Sequence, residues 1–309
     1  MTIKSDAGDG LLIVVPGVIW GASFLFIAEG LEAMGPYGVT FTRILIGFLT
    51  LALFARARKP IPRKDWLAVA AVGVTWMAFP LSMFPFAEQH VSSAVTGMLN
   101  GAVPLFTAIV AAFIARGLPS RGVLMGIGVG MAGAVLMALP SLGAGRSSAM
   151  GVGMIMAALV SYGFATNIAR PLQQRHGALP VIWRAQAVGL VLTAPMGAPQ
   201  LLHAHWSLGP LLSMLTLGAF GTAIAMVITT VAAGRLGATK AAATAFLIPP
   251  VALLLGVLVR HEHVAPAAVL GGLVCVGGAW IMRRAQSEVV ARVTGGVAPI
   301  APSVARGTA

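Results

Sequence analysis

Residues 11–28 read LLIVVPGVIWGASFLFIA, eighteen consecutive positions without a charge. About 20 apolar residues cross the roughly 30 Å of hydrocarbon in a bilayer, so this stretch predicts a membrane span. Lipid offers no hydrogen-bond partner to open backbone groups, which makes the span a helix. Nine more stretches of the same kind follow, at 36–55, 66–86, 92–115, 122–140, 151–169, 179–198, 209–233, 241–259 and 265–282. Composition agrees. Charged residues make up 9% of the chain and hydrophobic ones 58%, with a mean hydropathy of +0.92, whereas a soluble domain carries about 25% charged residues. The sequence predicts an all-α integral membrane protein of ten transmembrane helices.

The second five spans repeat the plan of the first. Trp20-Gly21 is answered by Tyr162-Gly163, 142 residues on, and Arg43 by Arg184, 141 residues on. Ser92-Ser93-Ala94 leads to Pro104 as Ala238-Thr239-Lys240 leads to Pro250, and Gly126 pairs with Gly272, both at an offset of 146. An offset that drifts so little is what duplication with small loop changes leaves behind. An odd number of spans per copy makes the second copy enter the membrane from the opposite face, so two inverted five-helix repeats are expected. Such repeats hold a binding site at their interface near mid-bilayer. Residues 1–10 read as a cytoplasmic N-terminus, 11–140 as the first repeat, 151–283 as the second and 284–309 as a disordered cytoplasmic tail.

The net charge of +12 is distributed by side. With the N-terminus inside, sixteen Lys and Arg fall on the inner face, while Arg146 and Arg260 alone fall on the outer one and Arg43 and Arg184 lie within spans. That is the positive-inside pattern of a plasma-membrane protein with both termini cytoplasmic. The inner cations meet anionic lipid; no basic face interleaved with stacking aromatics suggests nucleic acid. Cys275 is the sole cysteine, so no intramolecular disulfide is expected.

Five stretches carry a resemblance: Ile19-Trp20-Gly21-Ala22-Ser23-Phe24, Phe41-Thr42-Arg43-Ile44-Leu45, Pro104-Leu105-Phe106-Thr107-Ala108, Leu236-Gly237-Ala238-Thr239-Lys240-Ala241, and Ile248 to Gly256. In their order and spacing the chain resembles the ten-helix carriers of the drug/metabolite transporter superfamily, EamA-like branch, over residues 11–283. The resemblance implies an inner-membrane carrier of small metabolites or drugs, usually an exporter, with the fifth and tenth helices as peripheral supports. Where that family often has Gly-Glu-Arg after the fourth and ninth helices, this chain keeps Arg260-His261-Glu262-His263 in the second copy and Arg116-Gly117 in the first.

Candidate site residues follow from polar or aromatic groups at membrane depth. Arg43 lies about 10 Å along its span at 1.5 Å rise per residue, where a charge is costly unless it meets a partner or a wet cavity. Trp20, Phe24, Tyr162 and Asn167 sit mid-span as pocket walls, and Asn100 and Thr244 neighbour the prolines of spans four and nine. Pro104, Pro249 and Pro250 are candidate hinges, since proline interrupts a helix. Glu88, just past span three, is the carboxylate nearest the pathway and the candidate for a coupling proton. His203, His205, His261 and His263 read as solvated loop residues, so neither metal nor cofactor is expected.

These features point to an alternating-access transporter of a small metabolite, amino acid or drug, and not to an enzyme. The rivals are a lipid-modifying membrane enzyme, which lacks a mid-span acid–base set, and a non-transporting scaffold or scramblase.

Overall fold

The computed structural model describes residues 7–295, which are helical throughout with no strand among them. We number the helices in chain order: α1 Ala7–Leu31, α2 Pro36–Ala52, α3 over 66–88, α4 over 93–115, α5 Arg121–Gly143, α6 Arg146–His176, α7 Ala178–Leu202, α8 Leu208–Leu236, α9 over 238–259 and α10 Pro266–Gly295. Eight of these are long and apolar enough to cross a membrane. The exceptions are instructive. Helix α2, expected over 36–55, stops at Ala52 after 17 residues, about 25 Å of rise, because the chain tightens into a short turn at Ala55–Arg58. Helix α4 is broken into α4a, Ser93–Asn100, and α4b, Val103–Ala115, bent by 41°.

At its far end α10 runs on to Gly295, through part of the stretch expected to be disordered. Residues 283–293 are RRAQSEVVARV, mostly good helix formers, and the glycines and prolines of the tail begin only at Gly295. Residues 1–6 and 296–309, from the expected N-terminus and tail, lie outside the described residues.

Two helices contain a wider, π-helical stretch: Gly73–Ala78 in α3 and Leu217–Ile224 in α8. The wide turn brings carbonyl oxygens within reach of other helices. Trp20 Nε1 donates to Gly221 O at 3.0 Å, Gln186 Nε2 to Thr222 O at 3.0 Å, and Ser161 Oγ to Thr75 O at 2.8 Å. Sequence periodicity gave no warning of either stretch, because both keep the composition of an ordinary span.

Packing between the halves is reciprocal. A Cβ on Gly126 would meet Met282 N and one on Gly271 would meet Met137 N; a Cβ on Gly133 would meet Cys275 N and one on Gly278 would meet Gly130 N. Each of 271, 275, 278 and 282 lies 145 residues beyond 126, 130, 133 and 137. Gly126 thus pairs with Gly271, one residue from the expected Gly272. The same rule joins α2 to α8 and α7 to α3: Gly218 abuts Ile46 and the Arg43 carbonyl, as Gly73 abuts Val188 and the Ala185 carbonyl. Contacts pair Arg43 with Ala185, not with Arg184.

Helices α5 and α10 come together backbone to backbone, as small residues permit in lipid. Gly133→Val is expected to prevent this, since its Cβ would fall 2.3 Å from Cys275 N, while Gly128→Val, with nothing within 4 Å, is neutral. The measurement is monodisperse yield and thermal midpoint in detergent; equal behaviour of the two variants would refute the packing argument.

Candidate functional site

The buried side chains form two cores. One gathers Phe24, Met98, Leu99, Leu105 and Met137, the other Ile44, Leu51, Val72, Met77 and Ile182, and Tyr162 packs against both. A cavity of about 210 Å³ lies along the seam. Five of the seven expected binding residues line it: Trp20, Phe24, Arg43, Asn100 and Tyr162. Trp76, Met77, Phe84, Thr222 and Met226 complete much of the wall. The aromatics are ordered by one another, Phe24 edge-on to Phe84 at 5.6 Å and Phe84 tilted against Tyr162 at 5.9 Å.

Asn167 and Thr244 do not join them. Asn167 Nδ2 donates to Gly163 O at 2.8 Å and Thr107 O at 3.1 Å, tying α6 to α4b. Thr244 is buried with its hydroxyl donating to Ile13 O at 3.2 Å, which holds α9 to α1. Both side chains satisfy themselves at a helix contact.

Arg43 is 6% exposed. Its Nε donates to Thr222 Oγ1 at 3.3 Å, and among the described residues it has no ion pair. Thr222 is itself fixed, its hydroxyl donating to Leu217 O at 3.0 Å and its carbonyl accepting from Gln186. The π-helical stretch of α8 is thus the mount for the buried cation. Arg184, by contrast, is half-buried, bonded to Pro180 O and Ala57 O, with its guanidinium over the Trp183 ring; it reaches away from the bilayer centre.

The prolines stand at restarts, not inside continuous helices. Pro104 is in the first turn of α4b, and Pro249 and Pro250 are in the first turn of Ile248–Val259, which we call α9b. Proline costs no hydrogen bond there. The preceding α9a, 238–247, is partly a tighter 3₁₀ coil at Ala242–Leu247. The two interruptions face each other, since a Cβ on Gly101 would meet Pro249 Cγ at 2.4 Å. Asn100 and Val103 from one, Ala245 and Ile248 from the other, border the cavity.

On one side of the cavity α4a and α9b are pressed together, Gly97 against Ala252 and Gly256 against Ala94. The other halves, α4b and α9a, pack on α6 and α1 respectively and share no comparable face. Glu262 fastens the closed side. Its Oε1 accepts from Ser93 N at 3.0 Å and Ser93 Oγ at 2.8 Å, and its Oε2 accepts from Ala94 N at 2.8 Å. An anion is well placed at this helix start. Next to it Arg260 donates to Glu29 and to Glu32, the latter at 3.1 Å. Burial works against the Arg260 charge, but the bonds to Glu32 and Glu29 outweigh it and hold its pKa above the ordinary value. The sequence motif flagged Glu262; only the structure gives it a partner.

Glu88 ends α3, one turn beyond the cavity residue Phe84. Both its carboxylate oxygens are buried without a hydrogen-bond partner, within the field of Glu262, Arg260 and Arg43. A loop position bathed in water was the plain expectation for it; the packed end of α4a removes that water. His203, His205, His261 and His263 are exposed, and no metal-ligating group of three is assembled among the described residues.

Comparison with known proteins bears on what such a cavity does. The profile of the EamA-like transporter family matches residues 10–139 and again 149–284. A probable terminal-alkyne amino-acid exporter of Streptantibioticus cattleyicolor is 28% identical over 279 residues, covering 88% of this chain and 92% of that one. An uncharacterized inner membrane transporter of Escherichia coli K12, YedA, is 30% identical over 248 residues, covering 77% and 78%. One solved crystal structure, 19% identical, superposes with a TM-score of 0.57 over 94% of this chain and 99% of its own, a likeness of fold alone.

Proposed function

The chain belongs to the EamA-like transporter family, and on that footing we propose that it is an alternating-access carrier exporting a small organic solute through the Arg43 cavity. It is an integral membrane protein of a transporter family, and the names of its relatives point to transport and not to enzymes. The observation that carries the mechanism is the unequal treatment of two matching gates. Halves α4a and α9b are closed on each other while α4b and α9a are apart. Two inverted five-helix repeats would produce such a pair of gates, and the reciprocal glycine contacts between the halves support that arrangement. With the N-terminus inside, as the distribution of lysine and arginine favours, the closed gate is the outer one. The chain is then captured facing the cytoplasm of a bacterial inner membrane, ready to load.

Small-molecule flux into proteoliposomes of purified protein is the test. Counterflow of one solute across otherwise tight vesicles supports the reading; vesicles that pass lipid between leaflets, or form product without flux, would sink it. The amino-acid exporter among the relatives makes apolar amino acids the first solutes to try.

Glu88 is our candidate for the coupling proton, because its buried, unpartnered carboxylate sits between the cavity and the outer gate. A carboxylate left without partners is costly to keep charged, and opening the gate would hydrate it. Glu88→Gln is expected to preserve solute counterflow while a pH gradient no longer drives accumulation. Gradient-driven accumulation at the wild-type rate in that variant would remove Glu88 from coupling.

A further inference from the structure

We propose that the cargo is a small monocarboxylate with an apolar body, its carboxylate seated on Arg43 and a hydrogen-bond donor beside it meeting Asn100. The inference rests on the transport reading and specifies its substrate class. Arg43 lines the cavity, is 6% exposed, makes one hydrogen bond through Nε and has no ion pair among the described residues. Its guanidinium therefore keeps further donors for a ligand, and their fork suits the two oxygens of a carboxylate. Asn100 Oδ1, also on the wall, is buried without a partner, so it lacks a donor and not an acceptor.

The remaining wall decides the rest. Trp20, Phe24, Trp76, Phe84, Met77 and Met226 are apolar surfaces, which fit a hydrocarbon or aromatic body and offer nothing to a sugar's hydroxyls. One cation among them offsets one negative charge, so a dicarboxylate or phosphate dianion would be left with charge uncompensated in an apolar site. About 210 Å³ falls below the roughly 300–1,000 Å³ of drug-sized pockets, so the cargo is smaller than a typical drug. Two sources share this chemistry: an apolar α-amino acid, whose ammonium would supply the donor for Asn100, and an aryl or alkyl acid without it.

Four probes on the full-length protein in proteoliposomes separate these outcomes: phenylalanine, phenylalaninamide, phenethylamine and 3-phenylpropionate, with flux and ligand-induced thermal shift read in parallel. Phenylalanine and 3-phenylpropionate are expected to bind and move at least tenfold better than the amide or the amine. Asn100→Leu is expected to weaken phenylalanine alone if the amino acid is the cargo, and neither acid more than the other if a simple acid is. Arg43→Lys keeps the charge but not the fork and is expected to retain weakened preference for the acids; Arg43→Gln is expected to abolish that preference.

Equal or better handling of the amide or amine by the wild type overturns the inference and leaves transport standing. So does flux of a neutral sugar or of tetraphenylphosphonium with neither acid bound. Absence of flux for every solute, sugar and cation included, overturns the transport reading itself. The wild-type comparison needs no variant to fold.

Discussion

Arg43→Ala is expected to cut solute flux by about two orders of magnitude while the protein remains folded. Removing one partner of a buried charged contact costs about 2–5 kcal/mol, and about 1.4 kcal/mol is a factor of ten in affinity. The fold should survive because the other bonds at this point do not pass through the guanidinium: Thr222 keeps Leu217 O, and Gln186 keeps Thr222 O. Flux at matched reconstitution, with the detergent thermal midpoint alongside, separates lost function from lost fold. Flux within threefold of wild type would show that Arg43 is a buried structural cation held by Thr222 and nothing more.

Glu262→Ala is expected to loosen the outer gate. It deletes three hydrogen bonds at the start of α4a, each to a charged acceptor and worth about 1.5–3 kcal/mol. Arg260 is left to Glu29 and Glu32. The cap that Ser92 places on Val95 N at 3.3 Å remains, so α4a should stay helical while its grip on α9b weakens. Cys275, buried and the only cysteine, can be removed as Cys275→Ala, and Val95→Cys, 7% exposed in the native residue, then reports the gate. A membrane-impermeant thiol reagent added outside should label it at least tenfold faster when Glu262 is alanine, with Glu262→Gln in between. Unchanged labelling would mean that apolar packing of Gly97 and Gly256 alone holds the gate.

How much of this was legible beforehand varies residue by residue. Arg43 was legible because a charge at membrane depth is expensive whatever surrounds it, and Trp20, Phe24, Tyr162 and Asn100 because mid-span aromatics and amides stand out against Leu, Val and Ala. Thr222 and Gln186 were not. A lone threonine in a span ordinarily bonds back to its own helix, as Thr229 and Thr230 do, and nothing in the chain marks Thr222 as the one that receives Arg43. Trp76 could have been found by the mid-span aromatic argument applied to α3. Asn167 and Thr244 met the same criterion as Asn100 but spend their hydrogen bonds at helix contacts, a distinction set by which face each helix turns to its neighbour.

The glycine pattern of α5 and α10 announced close approach, yet the partner and the register came only with packing. An offset counted from sequence identities can slip by one residue in an Ala- and Gly-rich helix, and it did at Arg43 and Gly126. Contacts cannot slip, because a Cβ at 2.3 Å from a backbone nitrogen fixes the register.

By itself the sequence determined that the chain lives in lipid, that its backbone is helical, and that charge is concentrated on one presumptive face, since each follows from the cost of moving polar groups into hydrocarbon, counted residue by residue. Only the tertiary structure decided where α4 and α9 break, which polar groups share the cavity, and that Glu262 closes one gate while the other stands apart. Those outcomes depend on distances between residues 160 or more positions apart, as for Ser93 and Glu262, and such distances are set by how whole helices pack, a quantity no local stretch of chain contains.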